Sequence, residues 1–94
     1  MEMNERGQQL RGVMEECFDV FEKKNEAYGD EFFQENIKDP KMLDLYTNLK
    51  RKMQRMKRFS ETGTEITIEN VKDTLIDLAN YAMYGVICIE ERKK

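Results

Sequence analysis

The sequence predicts an all-α protein, a compact bundle of three to four helices, and three observations carry that prediction. Apolar residues recur every three or four positions along most of the chain, the mark of helices with one buried face. One proline and five glycines leave long stretches without an interruption. The only segment with strand propensity, Glu65-Ile66-Thr67-Ile68, has no obvious pairing partner and reads as a connector.

The first helix is expected from about Glu5 to Tyr28, where Leu10, Val13, Met14, Cys17, Val20, Phe21 and Tyr28 make the apolar row. Gly29 is placed to close it, because glycine past a periodic segment adopts the left-handed conformation readily. Asp30 to Asp39, with Phe32, Phe33 and Ile37, reads as a short helix or a packed loop. Asp39-Pro40 is then a start signal, since aspartate caps free amides and proline suits the first turn. It predicts a helix to about Phe59 with Met42, Leu45, Tyr46, Leu49, Met53 and Met56 in its apolar row. Ser60-Glu61-Thr62-Gly63-Thr64 breaks that pattern. Thr67 is read as the cap of a last helix, about Ile68 to Arg92, which ends in Arg92, Lys93 and Lys94 at the negative end of its dipole. From Leu75 to Ile89 this helix is apolar on nearly every side, so it is expected at the centre or between subunits of a homo-oligomer.

A chain of 94 residues makes one domain, 1–94, and alone buries only a modest fraction of its surface. No apolar run reaches the roughly 20 residues that span a bilayer. Met1-Glu2-Met3-Asn4-Glu5-Arg6 lacks the basic and then hydrophobic pattern of a signal peptide, and a cytoplasmic location is expected. Cys17 and Cys88 lie within apolar helical patterns and read as small core residues rather than a disulfide framework. Histidine is absent, which removes the commonest general base near neutral pH and the usual nitrogen ligand of zinc. The net charge is −3, yet residues 50–58 hold six of the sixteen basic residues, an anion-attracting strip on an acidic chain.

Three polar clusters interrupt the apolar faces. In Lys24-Asn25-x-x-Tyr28-Gly29, Lys24 and Tyr28 continue the row of Cys17 and Phe21. Two readings fit: Lys24 snorkels past the helix end while Tyr28 packs, or the lysine meets a phosphate and the tyrosine stacks on a base. In the basic helix, Lys52 and Arg55 share a side, whereas Arg51 and Arg58 lie on other sectors. A solvated face is the plain reading. The absence of acids between Asp44 and Glu61 favours phosphate binding. In Asp73-x-x-x-Asp77-x-x-Asn80-Tyr81, with Tyr84 a turn further on, Asp73, Asp77, Asn80 and Tyr84 form one row. The two carboxylates suit either a shared magnesium ion or pairing with Lys52 and Arg55 across a helix interface.

In order, these clusters resemble the nucleotide modification associated domain type 1 family, short helical proteins found widely in phages. The resemblance covers Glu16 to about Glu90. Its carriers are Cys17-Phe18-x-x-Phe21-x-x-Lys24-Asn25-x-x-Tyr28-Gly29, Lys52-Met53-x-Arg55-Met56 and Asp73-x-x-x-Asp77-Leu78-x-Asn80-Tyr81-Ala82. More distantly the chain is similar to the all-α nucleoside triphosphate pyrophosphatases, MazG-like and dimeric dUTPase-like, which hold magnesium through Glu-x-x-Glu and Glu-x-x-Asp pairs. Here Glu16-x-x-Asp19 and Asp19-x-x-Glu22 lie beside or away from the apolar face, and the second pair is reduced to Asp73 and Asp77 at a spacing of four. Two-metal phosphoryl chemistry needs several convergent carboxylates.

What the resemblance implies is nucleotide handling. The reading it favours is a phage-encoded protein that binds a linear or cyclic nucleotide without turnover and without a cofactor, a sponge for a host defence signal. Lys24, Lys52 and Arg55 would take phosphates, Tyr28 and Tyr81 the base, and Asn25 and Asn80 base or ribose edges, beside Asp77. One alternative is a magnesium-dependent nucleotide pyrophosphohydrolase or nucleotide-modification accessory enzyme with Asp73 and Asp77 as ligands. A second is a DNA-interaction module using residues 50–58, which an acidic pI near 5.1 disfavours.

Overall fold

The computed structural model describes residues 4–28, 30–63 and 68–94, less the side chains of 27–28 and 68–70. Its described residues form four helices: α1 (Glu5–Tyr28), α2 (Glu31–Lys38), α3 (Leu43–Thr62) and α4 (Ile68–Arg92). No strand occurs among them. The expected connector at Glu65–Ile68 and the expected Thr67 cap lie outside the described residues, as does Gly29.

The Asp30 to Asp39 segment resolves into a helix because its apolar side chains have somewhere to go: Phe32 and Phe33 both pack on Tyr84 of α4. Asn36 is fully buried at the α2–α3 corner. It donates to the Phe32 carbonyl at 2.8 Å and accepts from the Leu45 amide at 3.0 Å, so one side chain ties two helices together.

The third helix begins at Leu43, three residues later than Asp39-Pro40 implies. Asp39 does cap, but it accepts from the amides of Leu43 at 2.9 Å and Lys41 at 3.0 Å across an intervening turn. Met42 enters that turn in the left-handed region at φ 51°, a conformation that keeps Pro40 and Lys41 out of the helix. At the other end α3 continues through Ser60 to Thr62. The residue that stops it is Gly63, whose φ of 64° closes the helix as its amide donates to the Phe59 carbonyl.

α4 is central, as its apolar run implies, for it packs on α1, α2 and α3. Gly85 permits the approach of α3, since a Cβ there would meet Leu45 Cδ2 at 2.8 Å. Arg92 crosses from the end of α4 to donate to the carbonyls of Asn36, Ile37 and Asp39, satisfying the open end of α2. Among the described residues the buried apolar side chains are few: Cys17, Leu45, Ile76 and Cys88. No helix among the described residues is long and apolar enough to cross a membrane.

Candidate functional site

A cavity of about 380 Å³ opens where α1, α2, α3 and α4 meet, within the range of small-molecule sites. Its polar end is built from α1, α3 and α4. Lys24 Nζ donates to Asp77 Oδ1 at 2.8 Å, and Lys52 Nζ meets Asp77 Oδ2 at 2.8 Å. Lys24 is 49% exposed, whereas Lys52 and Asp77 are each 13% exposed. Burial alone would push the Asp77 carboxyl up, but hydrogen bonds and charge from Lys24 and Lys52 outweigh it and hold the group below the ordinary aspartate range. One carboxylate therefore orients two ammonium groups, and the cluster keeps a net positive charge at the cavity.

The other end is aromatic. Phe21, Phe32, Phe33, Tyr81 and Tyr84 line it, joined by ring contacts such as Phe33–Tyr84 at 5.3 Å and Phe32–Tyr81 at 5.7 Å. Burial, with Tyr81 and Asp77 nearby, raises the Tyr84 hydroxyl to about 12, so it stays a neutral phenol across the physiological range. Such a cavity offers cations to an anionic group and ring faces to a planar apolar one.

Of the residues marked in the sequence, Lys24, Asn25, Lys52, Asp77, Asn80 and Tyr81 line this cavity together. Asn80 does so from a buried position, with its amide already donating to the Cys17 carbonyl at 3.0 Å, so it fastens α4 to α1 as well as facing the cavity. Arg55 is exposed and is not among the lining residues; Arg51 takes that place. Spacing put Lys52 and Arg55 on one side of α3 and Arg51 on another sector, but the cavity meets the helix at the neighbouring positions Arg51 and Lys52. The Tyr28 side chain lies outside the described residues.

Asp73 is exposed, away from the cavity lining, while both oxygens of Asp77 are engaged by lysines. Among the described residues, no three His, Cys, Asp or Glu side chains converge to hold a metal ion. The residues described do not fit a magnesium centre on Asp73 and Asp77.

A model of the family described as nucleotide modification associated domain 1 matches residues 24–89. The chain belongs to the nucleotide modification associated domain 1 family. Within that match fall the three cavity-facing segments of α1, α3 and α4, beginning at Lys24; the Cys17-Phe18-x-x-Phe21 segment precedes it. No curated protein and no solved structure gives a significant match. Sequence reasoning missed Phe32 and Phe33 as lining residues. Their adjacency between two predicted helices was the available signal, and what it lacked was the corner that turns both rings towards Tyr84.

Proposed function

We propose that this chain is a nucleotide-binding protein that holds its ligand in the α1–α4 cavity without turning it over. The observation that carries the reading is the joining of Lys24 and Lys52 with an aromatic floor in one cavity of suitable size. Phosphate oxygens would take Lys24 and Lys52, with Arg51 at the rim, and the base would lie against Tyr81 and its aromatic neighbours. Half-exposed Lys24 is free to swing from Asp77 to a phosphate, whereas Lys52 stays fixed by its burial. Arg55, being exposed on the same helix, would at most steer an anion towards the mouth.

Membership of a nucleotide-modification-associated family supports the ligand class and does not bring a reaction with it. The lack of converging carboxylates among the described residues supports binding over hydrolysis. In this reading the chain works in the cytoplasm of an infected host as a homo-oligomeric, phage-encoded sponge that sequesters a defence nucleotide. Calorimetry against linear and cyclic nucleotides, with chromatography of the recovered ligand, tests it. Binding with the ligand recovered intact is expected, and turnover of the bound nucleotide overturns it.

A further inference from the structure

The folded chain exposes far more surface than its mass requires. Its accessible area is 7687 Å², against roughly 5,700 Å² for a compact monomer of 11.3 kDa. Its radius of gyration is 15.3 Å, where about 12 Å is usual for this length. The excess, roughly 2,000 Å² per chain, matches what each partner of an obligate homodimer covers.

That surface is apolar in two places. Along α4, Leu75, Ala79, Ala82, Met83, Val86 and Ile89 make one exposed stripe on the side away from the cavity. Along α1, every residue from Gln8 to Glu15 is exposed, and Leu10, Met14 and Phe18 line a shallow groove made of α1 alone. Neither is a scatter of single residues.

The stripe is also matched to itself. Ala82 lies midway between Leu75 and Ile89, and the small side chains of Ala79 and Ala82 allow close helix approach. Lys72, paired with Glu16, marks one end of the stripe, and the Glu90–Lys93 pair marks the other.

Building on the oligomeric reading above, we infer that a second copy of this chain covers the α4 stripe, the two α4 helices crossing antiparallel about a two-fold axis at Ala82. The exposed arm of α1 then extends over the same partner. An isologous contact of this kind places the axial residue beside its own counterpart.

Sedimentation of the wild-type chain at micromolar concentration tests the pairing. A mass of twice 11.3 kDa, or a larger even multiple of it, is expected, and a stable monomer overturns the inference. Val86→Asp, at a position 59% exposed within one chain, should keep full helicity by circular dichroism and sediment as a smaller species; an unchanged mass overturns the α4 stripe as the contact. Ala82→Cys under mild oxidation should give a covalent dimer on a non-reducing gel. Failure to cross-link in an associated sample overturns the axis at Ala82. Nucleotide titration of the same variants reads the cavity separately, so the loss of one account does not carry the other with it.

Discussion

Two ammonium groups share the Asp77 carboxylate, and this makes Asp77→Asn informative about stability and charge alike. The change leaves Lys52 largely buried without its counter-charge, and about 2 kcal/mol of folding stability should be lost in urea unfolding at neutral pH. Because the folded carboxyl titrates below its ordinary value, the wild-type contribution is complete above about pH 4 and disappears as the pH falls through the folded value. Wild type and Asp77→Asn should therefore converge in stability in strong acid. A constant difference at all pH values would show that the lysine pairs contribute nothing. The thiols give a second check at this scale: burial raises both Cys17 and Cys88, so neither should react with a disulfide reagent at mildly alkaline pH faster than the chain unfolds. Lys24, Lys52 and Asp77 were legible in the sequence because each breaks an apolar row. Asn80 was legible as polar, but its bond to the Cys17 carbonyl joins residues 63 positions apart and leaves no local trace.

Helix periodicity located α1 and α4 to their ends, since each carries a long apolar row. The start of α3 was harder to read. Asp39-Pro40 carries a genuine capping signal, but the helix waits for Leu43 because Asn36, Asp39 and Arg92 together shape the corner. Asn36 is the side chain on which that corner depends. Asn36→Ala removes the acceptor of the buried Leu45 amide and leaves a void, and it should cost about 3 kcal/mol, read as a lower urea midpoint. At the crossing of α3 and α4, Gly85→Leu would drive a side chain into Leu45 and should cost about 2 kcal/mol by the same measurement. A neutral result at either position would mean that the corner or the crossing is looser than its contacts indicate.

Across the whole molecule, a small core and a large apolar exterior accompany a concentrated basic strip on an acidic chain. Stability should therefore rise with protein concentration, as it does whenever association is linked to folding, and a melting midpoint independent of concentration would contradict that linkage. The sequence showed that α4 is too apolar for a surface helix. It could not show which face stays uncovered, because that depends on how α1, α2 and α3 divide its circumference. The cavity was legible as a set of charges and tyrosines, and its aromatic floor came only with the packing of α2. The central claim is that this cavity holds a nucleotide. It is met most directly by calorimetric titration of wild type and Lys52→Met with a panel of linear and cyclic nucleotides. At least one nucleotide should bind the wild type and be recovered intact, with affinity about tenfold or more weaker in Lys52→Met. No binding across the panel, or equal affinity in the two proteins, would contradict the account.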